Sequence, residues 1–285
     1  MSRTVSKLFM VGLCLCRGVA TSTYQLDTKY AGTTFFDDFT FFDIADYSHG
    51  FVNYVDQSTA IEDGLINTAA NGSVNSVRIT SNKSWTHGLV ILDLAHMPGT
   101  DCGSWPAFWM VGRDWPNGGE IDIIEGVNSN TVNQVSLHTD DNCTISSNPQ
   151  LGALINPNCA EYQSSGCATI LSSSSYGTPF NALSGGVYAT EWTSSYIRVY
   201  YFPRSSIPAD ILAGSPDPAG WGLPQADMQG NCDVDAHFYE MQVVFDTTFC
   251  GDWAGVVWAY DPVCSLKAPN CQTYVAGNPG AFEDA

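Results

Sequence analysis

Three carboxylates, Glu120, Asp122 and Glu125, fall within six residues and are separated only by isoleucine, in Glu120-Ile121-Asp122-Ile123-Ile124-Glu125. A solvated charge run is not spaced by bulky β-branched side chains. Such residues favour strands, so the pattern predicts a strand with one apolar and one acidic face. Carboxylates aligned on one face repel one another, and at least one is driven toward its protonated form. A protonated acid beside an ionised one is the working pair of glycosidic-bond cleavage.

Strand side chains alternate between faces, so Glu120 and Asp122 share a face and Glu125 is out of step by one residue. A β-bulge at Ile123-Ile124 restores it, because a bulge inserts one extra residue and re-aims the side chain that follows. The α-carbons of the two glutamates are then roughly 13 Å apart at the usual strand rise. Side chains leaning inward over Asp122 bring the carboxyl groups to about 5–5.5 Å, the spacing of a retaining glycosidase, against about 6.5–9.5 Å for an inverting one. One glutamate attacks the anomeric carbon, the other donates a proton and later activates water, and Asp122 sets the difference between them. The competing readings are a solvent-facing acidic strand or a calcium site. Calcium needs several oxygen ligands from a flexible loop rather than a strand packed with isoleucine. No metal site is expected, and two carboxylates and water call for no cofactor.

Aromatic residues crowd this strand. Trp105, Phe108 and Trp109 lie upstream, and Trp115 stands in a Pro/Asn/Gly turn five residues before Glu120. Sugar rings present flat apolar faces that pack on aromatic rings, so a glucan cleft needs exposed aromatic side chains. Trp115 fits such a cleft. Trp109, in a tight apolar run, fits either cleft or core. His138 ends the run Gln134-Val135-Ser136-Leu137-His138; it either hydrogen-bonds the acids or satisfies a sheet edge.

The elements that must position these groups follow from composition. The chain has 285 residues, of which 14% are charged and 12% aromatic, with 8 Trp, 13 Tyr and 14 Phe. No long amphipathic helical segment stands out. Short apolar or alternating runs bounded by turn residues recur at Phe51–Val55, Ser76–Thr80, Gly88–Leu94, Ala107–Val111, Glu120–Ile124, Asn133–His138, Gly186–Trp192, Ile197–Phe202 and Glu240–Phe245. This rhythm predicts an all-β sandwich. Thr139–Pro179, with three cysteines and little periodicity, predicts a long disulfide-pinned surface loop.

Residues 1–20 read as a secretory signal: a basic Met1–Lys7, an apolar Leu8–Cys16, and small Val19-Ala20 before the cut. One domain over residues 21–285 is the simplest reading. Eight cysteines remain after the cut, an even number that suggests up to four disulfides in a secreted chain. Cys264 and Cys271, flanking a short Pro-containing loop, are the first candidates for a local bridge. Asn71, Asn82 and Asn142 head glycosylation sequons. The net charge is −19, and loss of Arg3, Lys7 and Arg17 leaves 7 basic against 29 acidic residues, or −22. This argues against a nucleic-acid or anionic-membrane partner, whereas a neutral glucan is not repelled. No other stretch is long and apolar enough to span a bilayer.

At this level of detail the chain resembles glycoside hydrolase family 16, specifically its secreted fungal laminarinase-like endo-β-1,3(4)-glucanases. Glu120, Asp122 and Glu125 form the bulged Glu-x-Asp-x-x-Glu of that family. Further family-like phrases are Ser48-His49-Gly50-Phe51-Val52-Asn53-Tyr54, Cys102-Gly103-Ser104-Trp105-Pro106-Ala107-Phe108-Trp109, Phe202-Pro203-Arg204-Ser205-Ser206-Ile207-Pro208 and Phe249-Cys250-Gly251-Asp252-Trp253-Ala254-Gly255. The resemblance implies a concanavalin-like β-jelly-roll sandwich of two antiparallel sheets with a glucan cleft on the concave sheet. It implies Glu120 as nucleophile, Asp122 as its assistant and Glu125 as acid/base. It also implies that Trp109, Trp115, His138 and Trp253 lie at or near a substrate of laminarin-like or mixed-linkage glucan. The implied protein is a secreted monomer. Relative to that family the chain lacks a strand and loop between Val74 and Asn75, and a final strand beyond Ala285. Two other readings are a glucan-binding jelly roll without catalysis, which needs the aromatics but not two facing glutamates, and an inactive truncated gene product.

Overall fold

A computed structural model describes residues 24–66 and 75–282. The expected signal at residues 1–20, Asn71, Val74 and the chain end beyond 282 lie outside the described residues.

The strands in chain order are β1 (Phe39–Phe41), β2 (Asn53–Tyr54), β3 (Asn75–Ser76), β4 (Arg78–Trp85), β5 (Gly88–Leu94), β6 (Ser104–Val111), β7 (Glu120–Glu125) and β8 (Gln134–His138). They continue with β9 (Thr144–Ile145), β10 (Ala153–Asn156), β11 (Cys167–Ile170), β12 (Gly186–Trp192), β13 (Ile197–Pro203), β14 (Ala226–Met228), β15 (Gly230–Asn231) and β16 (Met241–Phe249). An eight-stranded sheet runs β1-β4-β16-β6-β7-β8-β11-β10, and a four-stranded sheet runs β14-β13-β12-β5. Every pairing within these two sheets is antiparallel. The architecture is the all-β jelly-roll sandwich expected.

Strand β6 shows how the sequence makes two faces. Ser104, Pro106, Phe108 and Met110 are buried, while Trp105, Ala107, Trp109 and Val111 are half-exposed, in strict alternation. One set enters the inter-sheet core and the other lines the open face, as the two-residue strand period requires. The core joins Phe108, Met110, Ile121 and Leu137 of the larger sheet to Tyr188, Ile197, Val199 and Tyr201 of the smaller. Aromatic pairs fill it, with Phe108 on Phe245 at 4.6 Å and Tyr188 stacked on Tyr201 at 5.0 Å between ring centroids. Full burial of side chains of this size contributes roughly 1.5–3 kcal/mol each.

Two expectations are corrected. The stretch Thr139–Pro179 is not a loop: it carries β10 and β11, which widen the larger sheet beyond β8, with Cys167 opposite Leu137 and Ile170 opposite Gln134. Its Ser- and Asn-rich composition masked four-residue strands that are too short for a periodic signal. Cys264 and Cys271 do not bridge each other. The disulfides are Cys102–Cys264, Cys143–Cys232, Cys159–Cys167 and Cys250–Cys271. Cys102 precedes β6 and Cys250 follows β16, and Ser104 pairs with Phe249 where those two strands meet. The two bridges therefore fasten the strand-poor segment after Gly251 to the end of the sheet. There Trp258, Val275 and Phe249 form a second small core with the four cysteines. A 264–271 bridge would have tied this segment only to itself.

No helix among the described residues is long and apolar enough to cross a membrane.

Candidate active site

On β7 the pairing register slips. Phe108 faces Ile124 and Trp109 faces Asp122, so Ile123 has no counterpart on β6. This is the bulge expected at Ile123-Ile124. It turns Glu125 to the face that holds Glu120 and Asp122, opposite Ala107. A bulge frees backbone groups from the ladder, and buried ones need other partners. The fully buried Asn133 provides them: its Oδ1 accepts from the Glu125 N–H at 2.8 Å and its Nδ2 donates to the Ile123 carbonyl at 2.7 Å. Gly119, at φ 77°, makes the turn into Glu120, and a Cβ there would sit 2.3 Å from the His237 carbonyl.

The three acids have different neighbours. Glu120 pairs in register with His138, and Asp122 with Ser136. The Nε2 of His138 lies 3.1 Å from Asp122 Oδ2, an ionic contact off the axis of a good hydrogen bond. On its other side, His138 Nδ1 is 2.5 Å from Glu161 Oε2. Glu125 instead accepts from Trp105 Nε1 at 2.8 Å. His138 is thus at the acids rather than at a sheet edge, since β11 covers the outer side of β8.

Burial and the charge of Asp122 push Glu120 well above the ordinary carboxylate range. The same two causes raise Glu125 to about 8, against the opposing effects of the Trp105 bond and His138. Burial alone would lower His138. Its close contacts with Asp122 and Glu161, with the charge of Glu120, outweigh that and hold the imidazole well above its usual value. These contacts favour the imidazolium form of His138 within the acid cluster.

Among the described residues, Glu120, Asp122 and His138 are the group whose side-chain ligand atoms converge within 4.8 Å of one another. An imidazolium with a carboxylate at each nitrogen has no lone pair for a metal. The donor set fits a proton network better than a cation site.

The expected aromatic residues occupy different positions. Trp109 resolves to the open face: its Nε1 donates to Asp246 Oδ1 at 2.8 Å, and the Arg78 guanidinium carbon lies 4.7 Å from the ring centroid. The other oxygen of Asp246 accepts from Tyr54 at 3.0 Å. Trp253, in the turn after β16, meets Trp105 edge to face at 5.8 Å and so reaches Glu125 through that ring. Trp115 stands 44% exposed in the β6–β7 turn and is not locked into the acid cluster. Sequence reasoning left four participants unassigned: Trp105, Asn133, Asp246 and Glu161. Trp105 shares the β6 face with Trp109 at a spacing of four residues, a signal that strand periodicity contains. Asp246 and Glu161 come from more distant segments, and Asn133, eight residues after Glu125, carries no local signal for its role at the bulge.

A family profile for XgeA-like catalytic GH16 domains matches residues 39–285. A probable endo-1,3(4)-β-glucanase of Neosartorya fischeri is 44% identical over 287 residues, covering 92% of this chain and 44% of the relative. An endo-1,3(4)-β-glucanase of Emericella nidulans is 42% identical, covering 93% and 46%. The chain thus spans about half the length of these curated relatives. Among solved structures, an elongating GH family 16 β-1,3-glucosyltransferase superposes with a TM-score of 0.85 at 40% identity, covering 93% of this chain and 96% of that one. Laminarinase 16A of Phanerochaete chrysosporium, solved with β-glucans in donor and acceptor sites, gives 0.83 at 40% identity over the same shares. With the bulged acid strand on the open face of the sandwich, these matches make the chain a member of glycoside hydrolase family 16.

Proposed function

We propose that the chain is a retaining endo-β-1,3(4)-glucanase that cleaves internal bonds of laminarin-like or mixed-linkage glucans. The observation that carries this reading is the bulge at Ile123, with three acids and Trp109 on one open face. In the proposed reaction, a Glu120 oxygen attacks the anomeric carbon while protonated Glu125 gives its proton to the departing glycosidic oxygen. A covalent glycosyl-enzyme remains, and the shortened glucan leaves with a new hydroxyl. Glu125, now a carboxylate, takes a proton from water, whose oxygen attacks the same carbon and frees Glu120. The environments support this division. His138, in register with Glu120 and in ionic contact with Asp122, opposes the upward push on Glu120, whereas Glu125 accepts a neutral N–H bond from Trp105. Asp122, between them, assists Glu120. Trp109, Trp115, His138 and Trp253 are the proposed glucan contacts.

Glu120→Gln should lower reducing-end release from laminarin by more than about 10⁴-fold, as loss of a nucleophile does elsewhere. A folded Glu120→Gln protein with full activity would overturn the mechanism. Glucan retention by a wild-type protein that releases no reducing ends would favour the binding-only reading. A second reading is glucosyl transfer, favoured by 40% identity to an elongating glucosyltransferase. The same glycosyl-enzyme serves both, with a sugar hydroxyl replacing water. Chromatography of laminari-oligosaccharide products separates them, since transfer yields chains longer than the substrate.

Secretion and a monomeric state belong to the same proposal. Four disulfides, and sequon residues Asn82 and Asn142 exposed at the surface, support an extracellular setting. Glycosidase-sensitive mobility of the expressed protein tests it, and light scattering tests the oligomeric state.

A further inference from the structure

Glu161 begins a four-residue helix, Glu161–Ser164, on the segment joining β10 to β11. Three features hold it against His138. The disulfide Cys159–Cys167 closes the loop two residues before Glu161 and six after it. The Glu161 N–H donates to the Thr139 carbonyl at 2.9 Å, and the Cys159 carbonyl accepts from the Thr139 N–H at 2.9 Å. The loop is thereby laced to the residue that follows His138. Gly166, at φ 81°, lets the closing turn pass over the imidazole, since a Cβ there would lie 2.6 Å from both Cε1 and Nδ1 of His138. The disulfide and the Thr139 bonds fix the loop beside His138, and the turn at Gly166 passes directly over the ring.

We propose that Glu161 is a positioning residue for the acid cluster: the stapled 159–167 loop presses it onto His138 Nδ1, which fixes the ring with Nε2 toward Asp122. The proposal rests on the reading of Glu120, Asp122 and Glu125 as the reacting acids. The chemical logic is that of an imidazole oriented through one nitrogen so that the other meets its partner. The charged groups that face His138 are Glu120 and Asp122 on β7, Glu125 beyond the bulge, and Glu161 on the loop. Glu161 is the member of this set that meets Nδ1, the other ring nitrogen from the one facing Asp122. In that arrangement His138 stays a cation, and Glu120 keeps its nearest counter-charge as the reaction begins.

Glu161→Gln retains the shape and removes the charge. We expect the His138 imidazole, followed by NMR and assigned by comparison with His138→Asn, to titrate about 1–3 pH units lower than in the parent protein. We expect kcat on laminarin to fall about 10–100-fold, the scale of a sub-ångström to ångström misplacement, with KM nearly unchanged. Glu161→Asp keeps the charge on a shorter arm and should give a smaller shift; it serves as the test if Glu161→Gln does not fold. An unchanged His138 titration in the folded variant overturns the proposal, whether or not kcat falls. That readout is independent of turnover. Full activity of Glu120→Gln would instead sink the reading beneath it while leaving the titration shift in place.

Discussion

Two acidic sites share the open face of the larger sheet, the half-buried Asp246 and the β7 acids with Asp122 buried between two half-buried glutamates, and they are built to different standards. Asp246 on β16 has a donor on each oxygen, Trp109 on one and Tyr54 on the other, with Arg78 close enough to offset part of the cost of its burial. The β7 cluster sets Glu120, Asp122 and Glu125 against a single imidazolium and leaves Asp122 Oδ2 without a good hydrogen bond. A satisfied acid of the first kind supports structure, because its neighbours are polar groups that would otherwise be buried alone. An unbalanced cluster of the second kind opposes folding and marks a site where the charge distribution serves chemistry. The two meet at Trp109, which belongs to the first cluster by its hydrogen bond and to the second by its register with Asp122.

The sharpest break in this comparison comes from parallel removal of the acids. Glu120→Gln should cost more than about 10⁴-fold in kcat on laminarin without lowering stability. Asp246→Ala should cost about 1–3 kcal/mol in urea unfolding for each donor it strands, Trp109 Nε1 and the Tyr54 hydroxyl. Equal destabilisation by both would erase the distinction. Asn133→Ala comes next. It should lower stability by about 1–3 kcal/mol for each backbone group it uncovers, at Ile123 and Glu125, and reduce kcat by misplacing Glu125. Unfolding and laminarin assays on the same preparation check both effects.

The third prediction concerns pH. Glu125 is raised to about 8 by burial and by Asp122. In the proposed role of general acid it is competent when protonated, so kcat should fall as pH rises through about 8. The stability sign follows from the same shift. Between its ordinary value and about 8, the folded state holds a proton that the unfolded state has lost, so the contribution of Glu125 to stability declines as pH rises across that window. Glu125→Gln should flatten that decline in thermal melts taken between pH 5 and 9. The smallest effect is expected at Trp115. With the ring 44% exposed, Trp115→Ala should change stability by about 0.5 kcal/mol or less while raising KM for laminarin.

Two long strands were legible as apolar or alternating runs bounded by turn residues. Gly88–Leu94 and Gly186–Trp192 match β5 and β12 at both ends. The bulge was legible because one extra isoleucine breaks the parity of three acids. Strands β10 and β11 were not, since four residues such as Cys167–Ile170 give two per face and no measurable period. The disulfides were misread for a related reason. Proximity in sequence favoured Cys264 with Cys271, whereas the sheet brings Cys102 and Cys250 to the same place from 148 residues apart.

The sequence by itself determined the chemistry available: three carboxylates on one strand, a bulge to align them, and aromatic residues within reach. Those are local properties, set by the two-residue strand period and by residue type. Only the tertiary structure decided how the three acids differ. Asp122 and Glu120 face His138 because β8 pairs beside β7, Glu125 meets Trp105 because β6 lies on the other side, and Glu161 reaches His138 from a loop stapled beyond β10. Burial, counter-charge and hydrogen-bond donors are supplied by segments distant in the chain. For that reason the pattern of acids can be read along one strand, but the environment that gives each acid its proton affinity cannot.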